Sequence, residues 1–189
     1  MCDVGDEILV PEPSYVSYAP AVILAGGTPV AVKCSAENDF ILTPEIMEAA
    51  ITPKTKAVIL AYPNNPTGAV MTRGQVEAII PVIEKHDLLV ISDEIYAELT
   101  YTDKHASIAS MGNMAERTVL INGFSKAFAM TGWRVGAHFF HDGKPVGKAV
   151  FKRAHRRALT HVRLISDEIY AELTYTDKHA SIASMGNMA

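Results

Sequence analysis

The sequence predicts an α/β fold: a three-layer arrangement in which a mostly parallel sheet carries helices on both faces. Three observations carry that expectation. The aliphatic runs at 56–62, 88–91 and 118–121 are short and almost unbroken, as strands buried on both faces require. Stretches patterned as helices alternate with strands through the first half of the chain. Turn-forming or polar residues, at 63–68, 92–96 and 122–126, follow each long apolar run.

In order, residues 6–10 begin as a strand after the turn glycine Gly5, and Pro11 and Pro13 close it. So abrupt a start leads to the expectation of further sequence upstream. Residues 15–25 carry enough aliphatic side chains for a helix, with Gly26 and Gly27 as its stop signal. Pro20 argues against that helix being unbroken. A short strand follows at 29–34. Thr43, Pro44 and Glu45 then open a helix as N-cap, first-turn proline and acid at the positive end of the dipole. Thr72 and Gln75 form a capping box, and Val76, Ile79, Ile80 and Ile83 the apolar stripe of a helix to about His86. Pro81 falls inside that helix and is expected to kink or break it, at about 3 kcal/mol if it stays regular. The alternation predicts right-handed crossovers and a parallel sheet.

The totals exclude several classes of function. With 189 residues, 49% apolar and 20% charged, the chain fits a globular domain rather than a disordered one. A net charge of −4 and a pI near 6.0 argue against a protein built to bind nucleic acid. No run approaches 18 apolar residues, so no membrane partner is expected. Cys2 and Cys34 define neither metal spacing nor a disulfide framework. The start of the chain lacks the basic and apolar regions of a secretory signal, and the expected location is cytoplasmic.

In open parallel sheets, ligands sit beyond the carboxyl ends of the strands. Asn65, Asp93 and Lys126 all fall just past such ends. A lysine there can be partly desolvated, which would lower its pKa and make its amine a competent nucleophile. Pyridoxal phosphate asks four things of a protein: a lysine, a carboxylate for the ring nitrogen, donors to the ring oxygen, and a phosphate grip. Lys126 could supply the first and Asp93 the second. Asn65 and Tyr96 could donate to the ring oxygen, and Arg134 with Ser125 could hold the phosphate. Each residue has a structural reading too. Asn65 suits a turn, Asp93 a helix cap, Tyr96 the core, Tyr15 a helix face, and Arg134 a cation–π pair with Trp133.

Three ordered motifs sharpen the choice: Tyr-Pro-Asn-Asn-Pro-Thr-Gly at 62–68, Ser-Asp-Glu-Ile-Tyr at 92–96, and Gly-Phe-Ser-Lys-Ala-Phe-Ala-Met-Thr-Gly-Trp-Arg-Val-Gly at 123–136. Asn65 and Asp93 are 28 residues apart, and Asp93 and Lys126 are 33 apart. In motif, order and spacing the chain resembles the pyridoxal-phosphate-dependent aminotransferases of class I/II, fold type I. The resemblance covers residues 4–140 well and is looser to about 160. It implies amino-group transfer between an amino acid and a 2-oxo acid, through a Schiff base on Lys126. By the same resemblance Asp93 pairs with the ring nitrogen and Asn65 and Tyr96 bond the ring oxygen. Ser125 and Arg134 hold the phosphate, Tyr15 stacks on the ring, and the intact protein is a homodimer. The family also carries about a hundred residues ahead of this first strand and a small C-terminal domain whose arginine clamps the substrate carboxylate. Neither is represented here, so the alternative is a catalytically silent remnant that at most binds the cofactor. Another fold-type I activity, such as β-elimination, would use the same anchors.

Residues 165–189 repeat 91–115 without a change. A single identical pair is not a repeat array. Residues 1–160 are therefore read as a partial cofactor-binding large domain, and 161–189 as the duplicate rather than a domain of its own. The two copies could compete for one place in the sheet. Arg163, ahead of the second, would be unpaired in a central strand, so Asp93 rather than Asp167 is expected at the site. Between the copies, residues 141–164 hold seven Lys/Arg, three His and one acid. Given the acidic total, they read as a solvated helix or one that packs on a further domain.

Overall fold

The computed structural model describes residues 2–101, 103–133, 135–139 and 163–166. Among the described residues seven strands form one sheet: β1 (Glu7–Glu12), β2 (Thr28–Lys33), β3 (Thr55–Ala61), β4 (Leu89–Asp93), β5 (Thr118–Gly123), β6 (Val135–Phe139) and β7 (Arg163–Ser166). Their order across the sheet is β2-β1-β3-β4-β5-β6-β7. The first five run parallel, and β6 pairs antiparallel with both β5 and β7. Helices α1 (Tyr18–Leu24), α2 (Pro44–Ala50) and α3 (Arg73–Lys85) connect the first strands, and the single turn α4 (Phe124–Ala127) follows β5.

The sheet is covered on both sides because successive side chains of a strand point to opposite faces. Leu9, Val58, Leu60 and Val90 face one way, onto Met47 of α2 and Ile79 and Ile83 of α3. Ile8, Val10, Ala57 and Ile59 face the other way, where Val22 of α1 meets them. The α/β, three-layer expectation is met, with the two antiparallel pairings, both made by β6, confined to one end of the sheet order.

Local chemistry explains the helix limits. α1 begins at Tyr18 rather than Tyr15, so Pro20 falls in the first turn, where an N–H would have no helical partner. Its end is closed by the Gly26 N–H to Ile23 O (3.0 Å) and the Gly27 N–H to Val22 O (3.0 Å), with Gly26 at φ 88°. Thr43 caps α2 by accepting from the Ile46 N–H, and Pro44 stands at the first position. At α3 both arms of the Thr72–Gln75 capping box form. Pro81 does not break α3, which continues to Lys85. Pro81 is on the exposed side, while Val76, Ile79 and Ile83 anchor both halves of the helix in the core.

The duplicated segments do not share a place in the sheet. β4, at the start of the first copy, lies between β3 and β5. β7, at the start of the second, pairs with β6 at the sheet margin, Leu164 opposite Ala137. Arg163 therefore stands in a marginal strand and not a central one; Asp167 lies outside the described residues.

Pro81→Ala restores a donor to the Glu77 carbonyl, partly offset by a more flexible unfolded chain. The variant is expected to unfold in urea with about 1–2 kcal/mol more stability than the parent. Equal or lower stability would show that α3 already absorbs the proline without strain.

Candidate functional site

Register makes the site. Asp93 lies opposite Ala61 of β3 and Ile121 of β5, so three neighbouring strands end at nearly the same level. The chain leaving β3 carries Asn65, that leaving β4 carries Tyr96, and that leaving β5 enters α4 with Ser125 and Lys126. All open beyond the carboxyl ends of parallel strands, where side chains meet a ligand without interrupting the ladder.

Asp93 is the most constrained of them. Like Ile91, it points to the α1 side of the sheet. The Tyr18 hydroxyl donates to its Oδ2 at 2.9 Å, and the Ile95 N–H donates to its Oδ1 at 3.1 Å. Below it an apolar cavity of about 230 Å³ is lined by Ile8, Val22, Ile59, Ile91 and Ile121. This apolar wall withdraws the carboxylate from water. Burial pushes the Asp93 pKa up, the Ile95 and Tyr18 hydrogen bonds pull it back, and the neighbouring Glu94 charge adds to the rise. Among the described residues no cation pairs with it. Tyr18 is itself held protonated, by burial first and then by the Asp93 charge.

The other residues assemble around this pair. Tyr15 stands edge-on to Tyr18, ring centroids 5.8 Å apart at 76°, and is 46% exposed. Lys126 Nζ lies 5.3 Å from the centre of the Tyr96 ring, a cation–π distance, and its side chain is exposed. In the loop after β3, Asn64 does the turn-forming work: its Oδ1 accepts from the Thr67 N–H (3.2 Å) and hydroxyl (2.8 Å). The side chain of Asn65 takes no such role among the described residues. Ser125 sits partly buried in α4. Arg134 lies outside the described residues.

The geometry thus joins Asp93 with Tyr15 through Tyr18, and Lys126 with Tyr96. Sequence reasoning missed Tyr18. Its signal was the three-residue spacing from Tyr15, which puts two aromatics on one side of a helical turn. An amine, a desolvated carboxylate without a cation, and partly accessible aromatic and amide groups suit a flat, nitrogen-bearing aromatic ligand with an aldehyde or carbonyl.

A model of the family "Aminotransferase class I and II" matches residues 1–159. The chain belongs to this family. The curated relatives it resembles include aromatic-amino-acid aminotransferase 2 of Thermococcus litoralis, 54% identical over 133 residues, 70% of this chain and 34% of that protein. An aspartate aminotransferase of Pyrococcus abyssi matches to the same extent. Among solved structures, the aromatic aminotransferase of Pyrococcus horikoshii superposes with a TM-score of 0.70 at 51% identity, over 72% of this chain and 36% of that one. The aspartate aminotransferase of Thermus thermophilus with maleate gives 0.68 at 45%, over 71% and 35%. The chain spans about a third of the length of these relatives. As an aminotransferase-family sheet it has the expected ancestry, and the solved relatives share its α/β layering.

The raised pKa of Asp93 has a consequence for stability. The folded state holds its proton more tightly than the unfolded chain does, so stability is lost as pH rises through the folded value. Asp93→Asn removes the buried charge. In urea titrations without cofactor the variant is expected to be more stable than the parent at pH 7, the advantage disappearing below about 3.8, the ordinary aspartate value. A variant less stable than the parent at pH 7 would mean that ionised Asp93 is fully compensated.

Proposed function

We propose that this strand-end site holds pyridoxal 5'-phosphate, and that its residues serve amino-group transfer between an amino acid and a 2-oxo acid. The observation that carries the proposal is Asp93: a desolvated carboxylate, held by Tyr18 and the Ile95 N–H, with no described cation beside it. A ring N–H⁺ is the partner such a carboxylate lacks. Family membership and the 51% identity to a solved aromatic aminotransferase support the same reading.

Each residue then has a task. Lys126 would hold the cofactor's aldehyde through its amine, and when free would accept and return the proton at the substrate α-carbon. Asp93 keeps the ring nitrogen protonated. Tyr15 covers a ring face, and Tyr96 and Asn65 donate to the ring oxygen. Ser125, with Arg134, takes the phosphate. Bound there, the cofactor supplies a sink for negative charge developed at the α-carbon. The same family reading proposes a homodimer in a cytoplasmic setting. No described helix is long and apolar enough to cross a membrane.

Mixing the purified chain with pyridoxal phosphate should give a visible absorbance band that borohydride fixes to Lys126, located by peptide mass. Lys126→Ala is expected to abolish the fixed adduct. An adduct of equal yield on another lysine would refute the assignment. A band that no amino donor bleaches would leave a cofactor binder without transfer.

A further inference from the structure

Beyond Asp93 the alternation of β4 sends Glu94 to the opposite face of the sheet, where it is 4% exposed. An isolated carboxylate at that depth is costly, and its partners explain why it is tolerated. Glu94 Oε1 accepts from the hydroxyls of Ser92 (3.0 Å) and Ser107 (2.7 Å). Its Oε2 lies 2.9 Å from His105 Nε2. That nitrogen has no aligned hydrogen bond, so the contact is one of proximity rather than of a directed N–H. Ser107 and His105 are themselves fixed, because the next residue, Ile108, is 2% exposed and packs with Met111 and Met114 in the larger core. The main chain of Glu94 is tied as well. Its N–H donates to Ile121 O on β5 (2.8 Å), and its carbonyl accepts the Ala97 N–H (3.0 Å).

We infer that Glu94 is a positioning residue: gripped by Ser92, Ser107 and His105, it fixes the 93–96 turn and so the bearing of Asp93 and Tyr96 toward Lys126. The β4 ladder fixes the main chain of Asp93 between β3 and β5. Its side chain has only two hydrogen-bond restraints among the described residues, one of them inside the turn, and the Tyr96 side chain has fewer still. Asp93 is held by the Tyr18 hydroxyl and by the Ile95 N–H, a bond internal to the turn. Tyr96 meets Lys126 through its ring. A turn loosened at Glu94 would let both side chains swing away from the strand ends, although neither touches the Glu94 carboxylate. The link to the site rests on the reading under Proposed function; the clamp on the turn does not.

Two arms separate these. Native-state amide exchange of the cofactor-free chain, followed by NMR, compares the parent with Glu94→Gln and the milder Ser107→Ala. The Ile95 and Ala97 amides are expected to lose protection about 10-fold in Glu94→Gln and about 3-fold in Ser107→Ala, with Ile59 of β3 unchanged. Unchanged protection at Ile95 and Ala97, or an equal loss at Ile59, would overturn the inference, the second by showing a general loss of fold. The other arm titrates pyridoxal phosphate by its visible band. The dissociation constant should rise about 10-fold in Glu94→Gln, with a displaced band maximum, and Glu94→Asp should recover part of both. A parent that binds no cofactor refutes the Proposed function, while the exchange arm still decides the clamp. Normal binding with a normal band in Glu94→Gln refutes the positioning role.

Discussion

One geometric rule governs the functional end of this protein: consecutive residues of a strand face opposite ways. At the end of β4 it puts Asp93 and the next residue, Glu94, two adjacent acids, on opposite sides of a single sheet. Separation by the sheet makes both tolerable. Asp93 takes a phenol and a main-chain N–H, and Glu94 takes two hydroxyls and an imidazole. Were both on one face, each would lose partners and gain a like charge in an apolar setting. The parallel ladder adds the second condition. With Asp93 level with Ala61 and Ile121, whatever follows the neighbouring strands arrives beside it.

The two faces around that strand differ in kind. On the α2 and α3 side the core is continuous, from Leu9 through Met47 and Ile79 to Met114. On the α1 side a smaller cluster borders an apolar cavity that reaches up to Asp93. That contrast sets the electrostatics. The well-packed face offers fixed hydroxyls to one oxygen of Glu94 and sets an imidazole beside the other, while the more open face desolvates Asp93 without supplying a charge. A carboxylate in the second condition is receptive to a cationic ring nitrogen, which connects the packing of α1 to the chemistry proposed for the site.

Much of the site was legible because it is written locally. Asp93, Tyr96 and Lys126 follow apolar runs by a few residues, and a strand followed by polar residues marks its own end. The Thr72 capping box and the Gly26–Gly27 stop were equally readable, since their partners lie within five residues. That Pro81 would not break the helix was hidden for the opposite reason. Its local cost is real, but Ile79 and Ile83, both fully buried, hold α3 together across it. The partnership of Tyr18 with Asp93, 75 residues apart, and that of Glu94 with Ser107 and His105 depend on which strands are neighbours.

By itself, then, the sequence determined the first five strands, the caps and the order of the three motifs, because each depends on periodicity and short-range hydrogen bonding. It also determined family membership, since motifs in order are a property of the chain. Only the tertiary structure decided the facing of Asp93 and Glu94, the hydrogen bond of Tyr18 to Asp93, and the place of residues 165–166 in the sheet. Identical residues at 91–115 and 165–189 cannot choose their own places. The choice falls to their neighbours: Leu88 and Val90, wholly buried ahead of the first copy, fit a strand enclosed on both faces, whereas Arg163 ahead of the second stands in a strand at the margin.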